Sequence, residues 1–141
     1  MTNLEFAKNE LLTNDLCFIA KKGDDVIIEN EYKAGALLAH VHNDKHCLSG
    51  AAVAANAVGR AEALLLVYAG IHEIYAKNIT IPAVQVFRNR GVKVTYENLL
   101  DEVPAEKYPI SAELEKKCLD IRSPFEAFGM LETIFASADE E

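Results

Sequence analysis

Residues 58–96 read VGRAEALLLVYAGIHEIYAKNITIPAVQVFRNRGVKVTY, and the punctuation of this stretch decides the fold. Ala61–Ala69 (AEALLLVYA) is apolar around most of a helical circumference, as a helix buried against a sheet would be. Gly70 stops it, and His72–Ala76 has the length of a strand. Thr80 is a good N-cap and Pro82 is tolerated in a first turn, which predicts a second helix with Ala83, Val84, Val86 and Phe87 on its buried face. Arg88 and Arg90 suit the C-terminal end of that helix's dipole, and Gly91 is its expected stop. Val92–Tyr96 alternates as a half-buried strand should. Helix, strand, helix, strand with short connections implies a parallel sheet with right-handed crossovers.

On the N-terminal side, Leu4, Ala7, Leu11 and Leu12 have helical spacing, so a first amphipathic helix is expected over residues 3–13. Leu16–Ala20 and Val26–Ile28 flank a Lys21–Asp25 turn and predict a β-hairpin. Residues 33–42 (KAGALLAHVH) suit a short helix, and Leu48–Val53 a strand weakened by Gly50 and its alanines. Asn56 and Gly59 then break the pattern. On the C-terminal side, Asn98–Pro109 reads as a loop holding two prolines, followed by helices over Ala112–Leu119 and Pro124–Phe135 and a fraying tail from Ala138.

The chain of 141 residues suits one domain over 1–141, with a core at about 3–136. Half the residues are hydrophobic, enough for a sizeable core and against intrinsic disorder. The net charge of −8 disfavours a nucleic-acid polymer as partner, while leaving room for a local basic pocket. Cys17, Cys47 and Cys118 are odd in number and lack C-x-x-C spacing, so neither a disulfide framework nor a thiolate clip is indicated. Met1–Glu10 lacks the basic and apolar regions of a signal peptide, and no apolar run has the length of a membrane span. A cytoplasmic protein without membrane contact is the expectation.

The order helix, hairpin, helix, strand, helix, strand, helix, strand resembles the cytidine deaminase-like fold. Within it, the chain is most similar to domain-of-unknown-function family 1893, a prokaryotic group. The resemblance rests on the glycine-basic-alanine start of the 60s helix, the AGIHEIYA strand, the Pro82-Ala83 helix and the GVKVTY strand, with weaker matches at Gly35–Leu38 and Ser123–Glu126. It covers roughly residues 16–135. It implies a three-layer α/β/α domain with a mixed five-stranded sheet, a β-hairpin followed by parallel βαβ units.

Zinc deaminases of that fold place a histidine or cysteine with a nearby glutamate at one helix start and a C-x-x-C pair at the next, so that the metal acidifies a bound water. Against that pattern this chain has Tyr32-Lys33-Ala34-Gly35 and Gly59-Arg60-Ala61-Glu62. Two cations stand where donors are needed, so neither a metal nor another cofactor is expected there. His40, His42, His46 and Cys47 crowd one stretch, and His42 and His46 have i, i+4 spacing. The pair straddles an expected helix end, where histidines suit the dipole, and no metal is assigned to it either.

The crevice beyond the C-terminal ends of the parallel strands is then the default ligand site. It collects Asn56, Gly59, Arg60 and Glu62, with Lys33 converging from the neighbouring helix start. A helix N-terminus, a glycine allowing close approach and an arginine suit a small anionic or nucleotide-like molecule. Each residue also has a purely structural use: Gly59 a backbone angle, Arg60 a solvated charge, Glu62 a favourable charge near the dipole. Ser123 and Glu126 are weaker ligand candidates. Where the family often shows Cys-Pro-x-Glu, Ser123-Pro124-Phe125-Glu126 reads as a capping box.

Three functions follow. The first is a zinc-free domain binding a small anion. The second in rank is a homo-oligomeric module associating through Phe125, Phe128, Met130, Leu131 and Phe135. The third is an enzyme with Glu62 as general base and Arg60 steadying a developing anion.

Overall fold

Strand β3 (Ala52–Val58) sits at the centre of a five-stranded sheet and carries both hydrophobic cores. Val53 and Ala55 point to one face and Ala54 to the other. The computed structural model describes residues 1–29, 46–107 and 109–139, without the side chains of 109–111 and 134–139. The helix expected over 33–42, and with it Lys33, His40 and His42, lies outside the described residues.

Helix α1 (Asn3–Thr13) starts where Thr2 Oγ1 accepts from the Glu5 N–H at 3.1 Å. The predicted hairpin is β1 (Phe18–Lys22) and β2 (Asp25–Glu29), turning at Gly23 with its φ of 60°. Strand β1 pairs antiparallel with β3 as well. From β3 the chain runs through α2 (Arg60–Ala69), β4 (Glu73–Thr80), α3 (Ile81–Asn89) and β5 (Lys93–Leu100). Strands β3, β4 and β5 are parallel, and the sheet order is β2-β1-β3-β4-β5. Each crossover advances one place in the same direction, so α2 and α3 fall on the same face. Helices α4 (Pro109–Lys117) and α5 (Pro124–Asp139) complete that layer, both packing against α2. Among the described residues α1 covers the opposite face, against β1, β3 and β4.

Several elements differ from expectation in extent. The strand predicted over Leu48–Val53 is a turn through Gly50 followed by β3, which runs through Asn56 instead of breaking there. Alanine is a poor strand former, but β3 is central and covered on both faces. Its small side chains let α1 and α2 approach, so packing overrides propensity. Strand β4 extends to Thr80 and β5 to Leu100, past the Asn98 expected to open a loop. Asparagines continue this end of the sheet because they bond across it. Asn98 Nδ2 donates to Asn78 Oδ1, and Asn78 Nδ2 to the Asn56 carbonyl, each at 3.1 Å. Helix α4 starts earlier than expected and α5 ends later, at Asp139.

The larger core lies between the sheet and α2, α3 and α5, with Leu65, Leu66, Ile74, Ile79 and Phe87 inside it. The smaller one lies under α1, from Ala7 and Leu11 to Ile19 and Tyr75. Tyr75 reaches out of it to donate its hydroxyl to Glu97 at 2.8 Å. Burial, that bond and the charge of Glu97 push the phenol up to about 12. No helix among the described residues is long and apolar enough to cross a membrane.

Candidate functional site

Parallel pairing aligns Val58, Ile79 and Leu99 at one edge of the sheet, so α2 and α3 both begin there. A helix start leaves backbone N–H groups without partners. Gly59, the N-cap of α2, has no side chain to offer one. The acceptor comes instead from α4. Glu115 Oε2 takes the Ala61 N–H at 2.6 Å, and Glu115 Oε1 takes the Arg60 N–H. The anion expected at this helix start is thus met by a carboxylate of the chain itself.

Gly59 is glycine because of that contact, not because of an unusual backbone angle. A Cβ there would stand 2.5 Å from Glu115 Oε1, 2.7 Å from its Cδ and 2.9 Å from Val103 Cγ2. Burial pushes the Glu115 carboxyl above its usual range, opposed by the N–H groups of Ala61 and Arg60 and by the guanidinium of Arg60. Arg60 holds α4 a second time, through a hydrogen bond from Nη1 to the Cys118 carbonyl. The Cys118 thiol is buried. Burial first, then the Glu115 charge, push it up against the opposing pull of Arg60, which marks it as core and not as a nucleophile.

Two clefts open beside this joint. One, of about 600 Å³, lies at the strand ends under the 101–106 segment, against α4. Its charged lining is Asp101, Glu102, Glu106, Glu115, Arg60 and Lys116. The other, of about 360 Å³, lies between α2, α3 and the connection from α4 to α5. Arg60, Arg90 and Arg122 line it together with Gln85 and Asn89, and among the described residues no acidic side chain does. Pro82, Gln85 and Asn89 share one face of α3 by their helical spacing. Arg90 Nη2 donates to the Arg122 carbonyl at 3.3 Å, which holds the two residues together. Three of the chain's four arginines therefore meet in one concavity of a protein with net charge −8.

The predicted site residues distribute unevenly. Arg60 lines both clefts. Gly59 and Glu62 line a third space of about 10 Å³ with Asn78 and Thr80, the size of a single water. Nothing the size of a substrate fits beside Glu62 there. Asn56 belongs to the asparagine ladder behind that space. Ser123 Oγ accepts from the Glu126 N–H at 3.4 Å, half of the expected capping box, and neither residue lines the two clefts. Arg90 and Arg122 escape sequence reading because each has an ordinary local use, at a helix end and in a loop. Glu115 is one of several acids in its segment. The only local hint of it is a helix start without a side-chain acceptor. Among the described residues no group of three or more histidine, cysteine or acidic side chains has metal-binding geometry.

Fold and site together define an α/β domain with a mixed five-stranded sheet, one ligand-sized cleft at the C-terminal edge of its parallel strands and another between its helices. The sequence profile of the family described as TM1506, Domain of unknown function (DUF1893), matches residues 6–135, and the chain belongs to that family. The fold is similar to that in the crystal structure of a DUF1893 family protein, TM1506, from Thermotoga maritima, with a TM-score of 0.80. That protein is 21% identical, and the match covers 93% of this chain and 88% of the other. No curated protein matches the sequence.

Proposed function

We propose that this chain is a zinc-free member of the cytidine deaminase-like domains that binds a small anionic molecule between α2, α3 and the connection from α4 to α5. One observation carries the proposal: Arg60, Arg90 and Arg122 line a single cleft with no acidic residue in its wall among the described residues. Three arginines in the wall of one space gather positive charge there, and a phosphate or carboxylate offsets it while accepting charge-assisted hydrogen bonds. Gln85 and Asn89 add neutral polar groups, and a volume of about 360 Å³ falls in the usual range for small-molecule sites. Replacement of the deaminase thiolates by Gly59 and Glu62 supports binding without zinc chemistry.

Thermal denaturation with phosphate and organic phosphomonoesters tests this. Ligand at about a hundred times its Kd stabilises the folded chain by about 2.7 kcal/mol. Wild type should show a matching rise in Tm that is lost in the Arg90→Ala/Arg122→Ala variant. No rise with any of these anions, or an equal rise in the variant, overturns the proposal.

A second reading is homo-oligomerisation through the start of α5. Phe128 and Met130 pack against the chain's own core, and Phe128 stacks on Tyr68 at 4.4 Å. Phe125, however, is 70% exposed beside them. Light scattering on wild type and Phe125→Asp tests this reading, and a monomeric wild type rejects it.

A further inference from the structure

The two clefts are not separate. Arg60, Pro82 and Leu119 belong to the walls of both, so the basic cleft opens onto the larger one across a shared rim. Their electrostatics are opposite. On the larger side both oxygens of Glu115 are engaged by the start of α2, which leaves Asp101, Glu102 and Glu106 facing Lys116. A simple anion is favoured on one side of the rim and opposed on the other.

Among the described residues the rim is apolar apart from Arg60. Leu119 is 69% exposed and shares it with Pro82. An apolar side chain that open, between two charged walls, suits contact with the uncharged middle of a molecule. Size points the same way, since either cleft alone exceeds what a bare phosphate fills.

Building on the anion-binding reading above, we infer that the ligand is bipolar. Its anionic group lies on Arg60, Arg90 and Arg122, an apolar stretch crosses Pro82 and Leu119, and a protonated amine meets Asp101, Glu102 and Glu106. Such a ligand is an amino-bearing phosphate monoester or an amino-bearing carboxylate, and it binds more tightly than simple phosphate or a dicarboxylate.

Titration calorimetry with two matched series, n-alkyl phosphates and ω-aminoalkyl phosphates of increasing chain length, separates this inference from the one it rests on. In wild type the amine should tighten binding about tenfold once the chain is long enough to cross the rim. Glu102→Gln/Glu106→Gln should erase that gain, whereas Asp24→Asn/Asp25→Asn, an equal charge change on the exposed hairpin turn, should keep it. Alkyl phosphates that bind with no gain from the amine at any length overturn the bipolar ligand and leave the arginine cleft standing. The same holds for a gain lost equally in the hairpin variant, which reduces it to net charge. If neither series binds, both proposals fall.

Discussion

Helices α2 and α3 begin side by side at the same edge of the sheet, yet their first N–H groups are satisfied by different means. At α3, Thr80 serves the helix it precedes: its Oγ1 accepts from the Ala83 N–H at 3.3 Å, three residues on. At α2 the acceptor is Glu115, 55 residues beyond Arg60. The first arrangement is local and costs only the ordering of one hydroxyl. The second ties α4 to the sheet edge and shapes the wall of the larger cleft. A cap borrowed from afar thus does two jobs, since what completes the helix start also closes it to outside anions. Any ligand anion is left to the arginine side chains next door.

Removing the distant cap should have the largest effect. Glu115→Ala deletes two charge-assisted hydrogen bonds to half-buried backbone and should cost about 2–3 kcal/mol in urea denaturation. A loss no larger than at an exposed helix end would show that water replaces the carboxylate without penalty. Gly59→Ala comes next, at about 1–2 kcal/mol, because its Cβ must displace Glu115 and press on Val103. The two variants should be strongly non-additive. In the Glu115→Ala background the two nearest of these contacts are gone and that with Val103 remains, so a large part of the Gly59→Ala cost should vanish. Additive costs would mean that the glycine is needed for another reason.

The local cap should matter less. Thr80→Ala should cost about 1 kcal/mol and leave the Glu115 cycle untouched, since it serves a different helix. The smallest expected effect is in pH dependence. An acid raised on folding holds its proton more tightly in the folded chain. Its contribution is therefore fully present below the ordinary value of 4.5 and declines as pH rises through the raised one. The stability difference between wild type and Glu115→Gln should shrink across that window. A difference that grows with pH would show that the backbone N–H groups and Arg60 outweigh burial.

Much of the fold was legible because its signals are local. Gly70 and Gly91 both adopt the left-handed conformation their positions after α2 and α3 suggested, with φ of 81° and 74°. Thr80 and Ser123 both cap the helices they precede, as their positions suggested. Legibility failed where neighbours in space, not in sequence, set the outcome. The alanines of β3 become a strand because two layers cover them, and Asn98 stays in β5 because Asn78 waits across the ladder.

The candidate site divides along the same line. Periodicity, turn residues and helix punctuation act over a few residues, so the sequence carries them openly: the order of elements, the helix starts at Gly59 and Thr80, and the placing of Arg60 at the sheet edge. Charge in a cleft has no such range limit. Arg90 ends one helix and Arg122 precedes another, and only the packing of α3 against α2 and the turn after α4 sets them around one space with Arg60. The partner of Gly59 is likewise a matter of which acid of α4 faces inward, and that depends on how the whole helix is seated, not on the residues beside it.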